Sequence, residues 1–397
     1  MKKIALVNHR YGLEVTGGSE RYTRDLAEIL CSHYDIEILT TCALDHFTWK
    51  NHYPKGVCDV NGIKVRRFES NALRDMHKFN KHYAKVQTIS KTDANLEKME
   101  SEFVDRQGPY CPELVEYIRK NIDEYDVFVF VTYLYYPTVR AIKYVKDKSM
   151  LISTAHDEPP IYFDTYKNIF SYPKAIGFLT DEEREFVHSL FSNEQIPHDV
   201  IGYHVVLPSS IAPSLFKSKY NLDNYIVYVG RVEAGKYCNE LCDYFIRYKN
   251  EHSSNLKLVF IGQVLAEVPT HPDIISLGFI SEEDKFNGIA GARMLVMPSQ
   301  YESLSIVTLE ALALGVPVVV NGRSEILRGH CTKSNAGLYY TNYYEFAGAI
   351  NYMLSHDDVY AIMQTNGKKY IEYNYTAEVL IKKFDKLINV IMHDELI

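Results

Sequence analysis

The chain predicts an α/β protein made of two doubly wound parallel sheets. Short apolar runs alternate with amphipathic helical stretches, the pattern of sheets covered on both faces. The pattern also begins twice, at Lys3–Val7 and again at Tyr225–Val229. Between the two halves lies Pro208–Leu222, rich in Ser, Pro and Lys as linkers are.

In the first half, strands are predicted at Lys3–Val7, Ile36–Thr40, Ile63–Phe68, Val127–Thr132, Leu151–Thr154, Ala175–Leu179 and Tyr203–Leu207. Helices fit Ser19–Cys31, Pro112–Asn121, Pro137–Val145 and Asp181–Phe191. In the second half, strands fit Tyr225–Val229, Leu258–Ile261, Ile274–Leu277, Met294–Met297 and Pro317–Val320, with a helix over Tyr237–Lys249. A last helix, about Thr376–His393, carries apolar residues at Val379, Leu380, Phe384, Leu387, Ile388 and Ile391, so one face must pack. The expected domains are 1–207, 208–375 and a terminal helix over 376–397. A polar stretch from about Asn71 to Gln107 reads as a helical insertion in the first domain.

Composition narrows the function. With a net charge of -8 over 397 residues, the chain is unlike a general nucleic-acid binder. The apolar start is broken by Asn8, His9 and Arg10, short of the ~7 residues of a signal-peptide core. No run approaches the ~18 apolar residues of a membrane span, so a cytoplasmic location is expected. Seven scattered cysteines without a C-x-x-C spacing read as free thiols of a reducing compartment. Within Lys64–Lys91, eight bases face only Glu69 and Asp75. This segment could touch anionic lipid at the inner membrane face, or be a solvated helix.

Four constellations carry chemistry. Thr16-Gly17-Gly18-Ser19-Glu20 follows the first strand and opens a helix, where backbone amides and the helix dipole suit phosphate. Its spacing is not the dinucleotide fingerprint. Ser153-Thr154-Ala155-His156-Asp157-Glu158 lies at a strand's carboxyl end, where open α/β sheets bind ligands. His156 and Asp157 there could polarise a hydroxyl or orient a sugar. Arg231 leaves the strand that opens the second half, and Lys236 follows at the next helix. Two cations there would stabilise a diphosphate as it departs. The fourth stretch runs from Pro298 to Pro317 as strand, loop, helix and Gly stop. Glu302 lies in its loop, Ser303 and Ser305 can cap the helix, and the amides of Ser303, Leu304, Ser305 and Ile306 would face a phosphate. Glu310 falls in an otherwise apolar helix and needs a partner, either ribose hydroxyls or a structural salt bridge.

The pair Glu302 and Glu310, eight residues apart before Gly315-Val316-Pro317-Val318, closely resembles the signature of the retaining glycosyltransferase family 4. Arg231 with Lys236 resembles that family's diphosphate pair, Gly17-Gly18 its glycine loop, and His156-Asp157 its histidine segment. Gln107-Gly108-Pro109 with Pro112 is similar to some members. Two segments differ from the common pattern, Gly235-Lys236-Tyr237 and Leu207-Pro208-Ser209-Ser210.

The resemblance implies the GT-B fold, two Rossmann-like domains facing across a cleft with the last helix crossing back to the first. It implies sugar transfer from a nucleotide-diphosphate sugar to a hydroxyl of a glycan, glycolipid or other acceptor, with retained configuration, in cell-surface polysaccharide synthesis. Glu310 would bind ribose, Glu302 the donor sugar, and Arg231 and Lys236 the diphosphate. Gly17 and Gly18 would close over the phosphates, and His156 would stand near sugar and acceptor. No cofactor or metal is implied, and the chain lacks the metal-binding D-x-D motif of the other major glycosyltransferase fold. A GT-B accessory subunit without catalysis is the alternative, against which the full set of motif residues argues.

Overall fold

The structure, a computed structural model, describes residues 1–393. Positions 394–397 of the expected terminal segment lie outside the described residues. The chain forms two compact units, Met1–Tyr203 with the segment from Ala377 onward, and His204–Thr376. Each is Rossmann-like.

The first unit has strands β1 (Lys3–Val7), β2 (Asp35–Thr41), β3 (Gly56–Val60), β4 (Ile63–Phe68), β5 (Val127–Val131), β6 (Ser149–Ile152), β7 (Ala175–Phe178) and β8 (His198–Val200). They lie in the order β3-β4-β2-β1-β5-β6-β7-β8. All pairs are parallel except β3 on β4. Every residue of β5 is buried, which is why it reads as an unbroken apolar run rather than an alternation. The helices are α1 (Gly18–Leu30), α2 (Met76–Thr88), α3 (Leu96–Gln107), α4 (Pro112–Lys120), α5 (Tyr136–Ala141), α6 (Asp164–Ile169) and α7 (Asp181–Phe191). The insertion is α2 against α3, joined by tilted contacts of Phe79 and Tyr83 with Phe103, which in turn meets Phe163 edge-on.

The second unit has β9 (Tyr225–Val229), β10 (Lys257–Ile261), β11 (Ile274–Ser276), β12 (Met294–Met297), β13 (Val318–Asn321) and β14 (Gly337–Tyr340). Their order is β11-β10-β9-β12-β13-β14, parallel throughout. Its helices are α8 (Pro213–Tyr220), α9 (Cys238–Glu251), α10 (Glu282–Gly291), α11 (Ile306–Ala313), α12 (Glu325–Ser334), α13 (Tyr343–Ser355) and α14 (Asp357–Asn374). The final helix, α15 (Ala377–His393), belongs to the first unit. It packs on β5, β6, β7, β8 and α1. Leu380, Phe384, Leu387, Ile388 and Ile391 are buried there, and Val379 is half-buried. Lys383 Nζ donates to the Val200 carbonyl at 2.7 Å and Tyr34 Oη to Asp385 at 2.5 Å.

Three expectations are corrected. Tyr203–Leu207 is not a strand. The edge beside β7 is taken by β8, and Val206 and Leu207 are exposed on the way out of the unit. Strand β3 was not foreseen, because it is a solvated edge with no apolar run. Its turn, Asn61-Gly62, has φ 51° and 80°, the two left-handed residues of a tight hairpin, and that dipeptide was a readable signal. The edge strand β14 was missed for the same lack of an apolar core pattern.

In the basic run from Lys64 to Lys91 the three arginines are buried or half-buried and the five lysines are exposed, but most of the set has a partner within the unit. Lys64 and Arg66 pair with the buried Glu37 at 3.1 and 2.8 Å. Arg67 and Arg74 donate to the carbonyls of Tyr11 and Phe47. Lys78 pairs with Asp75 and Lys91 with Asp164. Among the described residues, only Lys81 and Lys85 of this set are left without a polar partner. No described helix is long and apolar enough to cross a membrane.

Phe384 is fully buried in α15. Phe384→Ala should therefore lower the free energy of urea unfolding by about 3–5 kcal/mol. A loss below about 1 kcal/mol would mean that α15 is not part of the core.

Candidate functional site

In each sheet the strand order reverses at one point, and the loops at that point face the crevice where such folds take ligands. In the first unit the reversal falls between β1 and β5. The loop after β1 is built on α1. Asn8 Nδ2 donates to Ser19 O and Thr23 Oγ1 at 3.1 and 2.6 Å. His9, Arg10 and Glu20 are all buried. His9 Nε2 lies 3.0 Å from Glu20 Oε1, and Arg10 pairs with the same oxygen. The imidazole stacks on Tyr135 at 3.7 Å. Burial would raise the Glu20 carboxyl, but the adjacent His9 and Arg10 hold it well below the usual carboxylate range. Burial lowers His9 even against the pull of Glu20.

Gly17 is needed at this turn. Its φ is +151°, and a Cβ there would meet a Glu20 carboxylate oxygen at 2.2 Å. A Cβ on Gly18 would meet nothing within 4 Å. The two predicted glycines thus differ: one is sterically required, and the other borders open space.

His156 follows β6. Its segment is aimed by Glu183, a buried residue of α7. Glu183 accepts from Ser153 Oγ at 2.6 Å, Ala155 N at 2.5 Å and Leu179 N at 2.6 Å. These bonds hold Thr154 at φ +50°, a costly setting for a β-branched residue. His156 Nε2 is 3.5 Å from Glu158 Oε2, and Glu158 Oε1 accepts from Tyr133 Oη at 2.6 Å. The other predicted residue of this segment, Asp157, is exposed and accepts from Tyr162 Oη at 2.6 Å.

In the second unit the reversal falls between β9 and β12, whose following loops carry Arg231 and Glu302. Lys236 Nζ donates to Glu302 Oε1 at 2.8 Å, so these two predicted residues meet. Arg231 pairs with Glu233 at 3.1 Å. Tyr237 Oη donates to Gln300 Oε1 at 2.6 Å and locks the same two loops together. The expected serine cap is not formed. Ser305, at φ +62°, contacts Thr308 Oγ1 at 2.8 Å, and no side chain caps α11. The Thr308 and Leu309 amides bond back to the Ser305 carbonyl at 3.0 and 3.3 Å, while Ile306, the first residue of α11 after Ser303, Leu304 and Ser305, has no side-chain cap to serve its amide. Glu310 is fully buried on α11, 3.1 Å from Lys285 Nζ of α10.

Sequence reasoning missed the roles of His9, Arg10, Glu20, Glu183 and Lys285. The His9-Arg10 pair was visible as polar residues ending an apolar strand. Lys285 sits within Ser281-Glu282-Glu283-Asp284-Lys285, which reads as an ordinary capped, solvated helix start. Nothing in that pattern signals its burial.

Residues 215–370 match the family model described as Glycosyl transferases group 1. The matched stretch contains Arg231, Lys236, Glu302 and Glu310. An uncharacterized glycosyltransferase of Methanocaldococcus jannaschii is 23% identical over 180 residues, 43% of this chain and 46% of that protein. The alignment thus spans about half the length of the curated relative. Among solved structures, the sucrose-phosphate synthase of Thermosynechococcus elongatus superposes with a TM-score of 0.73 at 14% identity, covering 100% of both chains. Anabaena HepE, solved in complex with UDP and glucose, gives 0.68 at 13% identity, covering 98% of this chain and 100% of that one. These likenesses show the GT-B fold.

Two predictions follow from the first unit. Gly17→Ala should destabilise it by about 1–3 kcal/mol through strain at the turn, while Gly18→Ala should change stability by no more than about 0.5 kcal/mol. Equal effects in thermal or urea unfolding would contradict the geometry. The second concerns pH. Burial pushes the Glu183 carboxyl up to about 7 from 4.5. The folded state then holds a proton that the unfolded state has released. Its stabilising share is complete below about pH 4.5 and is lost as pH rises to about 7, roughly 3 kcal/mol in all. Glu183→Gln should flatten that part of the stability–pH curve. A variant curve parallel to wild type between pH 5 and 8 would refute the assignment.

Proposed function

We propose that the chain is a glycosyltransferase that moves a sugar from a nucleoside-diphosphate sugar to a hydroxyl of a glycan or lipid-linked acceptor, retaining the anomeric configuration. The observation that carries this reading is the joining of Lys236 to Glu302 beside the uncapped end of α11, with Glu310 buried behind, inside the stretch that matches Glycosyl transferases group 1. The fold supports it too: both switch points present polar loops, as ligand-binding α/β sheets do.

In this reading Arg231 and Lys236 hold the diphosphate, with the first-turn amides of α11 around Ile306. Both cations are paired with carboxylates now, so binding exchanges one anion for another. Lys236 turns from Glu302 to phosphate, and Glu302 is released to take the sugar's hydroxyls. Glu310 takes the ribose. As the bond from the anomeric carbon to the diphosphate breaks, the acceptor oxygen bonds to that carbon on the same face. Its proton passes to the departing phosphate, and the two cations stabilise the charge that builds there. The charges are all side-chain ones, so no metal enters this reading. His156 and Asp157 serve the acceptor and the transferred sugar. The glycine loop at Gly17 and Gly18 gives a phosphate room to approach. The work would be done on the cytoplasmic side, in cell-surface polysaccharide synthesis.

Thermal shift against a panel of nucleoside diphosphates and their sugars tests the reading. One diphosphate sugar should stabilise the protein, by about 2.7 kcal/mol at a hundredfold excess over its dissociation constant. Glu310→Gln should then weaken that ligand roughly 10- to 100-fold, the worth of hydrogen bonds to a charged group. A cooperative melt that no panel member shifts would favour an accessory subunit. Contact with anionic lipid would draw on the exposed lysines of the basic run, of which Lys81 and Lys85 have no competing carboxylate among the described residues. If it occurs, Lys81→Glu with Lys85→Glu should abolish binding to phosphatidylserine vesicles at low salt.

A further inference from the structure

The buried pair formed by Lys285 and Glu310 is hard to explain by stability. Both residues are almost without solvent, at 6% and 0% exposure. Taking two ions out of water costs several kcal/mol each, and a well-packed apolar pair of similar size often does as well or better. The pair is nevertheless held with care. Lys285 Nζ reaches Glu310 Oε1 at 3.1 Å and Glu282 Oε2 at 2.7 Å, and lies 4.2 Å over the Phe286 ring. Glu282 is mostly in water, so one end of this ladder is at the surface and the other is in the core. The ladder joins α10 to α11, the helix whose open end follows Ser305. Elsewhere around α11, Lys368 of α14 comes against Gly315, beyond the far end of the helix. His330 Nε2 of α12 donates to the Leu304 carbonyl at 2.7 Å. Lys285 is the residue that brings a cation to the Glu310 carboxylate, at 3.1 Å.

We propose that Lys285 is the positioning residue for Glu310, fixing the carboxylate's direction so that the protein selects a ribonucleoside over a 2′-deoxyribonucleoside donor. This rests on the reading of Glu310 as the ribose acceptor. A carboxylate can discriminate between a hydroxyl and a hydrogen only if it cannot turn away to another donor. The lysine, anchored at its other side by Glu282, removes that freedom. Lys285 touches no substrate atom. Its effect is confined to the ribose edge, so it should leave diphosphate binding intact.

Calorimetry on the full chain decides it. The probes are the tightest binder among UDP, GDP and ADP, and the 2′-deoxy form of the same nucleotide. Wild type should prefer the ribonucleotide roughly 10- to 100-fold. In Lys285→Met the preference should fall to within about threefold of unity, with the 2′-deoxy affinity unchanged. Lys285→Arg should keep most of the preference. Should Lys285→Met fail to fold, Lys285→Gln retains a neutral donor for the carboxylate, and should fold while losing the preference severalfold. If Lys285→Met and Lys285→Gln discriminate as wild type does, or lose both nucleotides alike, the proposal is overturned and the pair is structural. If wild type itself shows no preference, the ribose reading of Glu310 fails and takes this proposal with it.

Discussion

A carboxylate taken out of water must be answered by charge or by hydrogen-bond donors within reach, or it is too costly to keep. In this chain that demand is met twice at strand ends, by a carboxylate sent from a helix toward a loop, and once between two helices. Glu20 of α1 is answered by His9 and Arg10. Glu183 of α7 is answered by Ser153 and by two main-chain amides. Glu310 of α11 is answered by Lys285. A fourth, Glu37, gathers Lys3, Lys64 and Arg66 within the first sheet.

The consequence is that the loops bearing the candidate chemistry are not loose. The turn before α1 is held by a carboxylate that sits where the Gly17 side chain would be. The Thr154 backbone keeps a left-handed setting because amides on both sides of it are spoken for. Strain of this kind persists only where the surroundings over-determine it, and such places are often functional. In the second unit the loops after β9 and β12 are tied by Lys236 to Glu302 and by Tyr237 to Gln300. Both ties are polar and partly solvated, so an anionic ligand can replace them.

The fate of the basic run between Lys64 and Lys91 follows the same logic. Read along the sequence, it is a cationic patch. In three dimensions six of its eight members serve carboxylates and carbonyls of their own unit. A count of charges along a chain does not say which of them already have partners.

The two doubly wound sheets were legible in the sequence, because a strand buried on both faces has to be apolar, as β5, β9 and β12 are throughout and β1 is after Lys3. The sequence also placed Arg231, Lys236, Glu302 and His156 in the segments that follow the carboxyl ends of such strands. It carried less about the edges, where β3, β8 and β14 need no apolar run. Only the tertiary structure decided the partners. It brought His156 to Glu158, left α11 without its serine cap, and buried Lys285 against Glu310. Each of these depends on which helices lie side by side and which side chains lose their water. Those neighbours come from distant parts of the chain, so no local spacing encodes them.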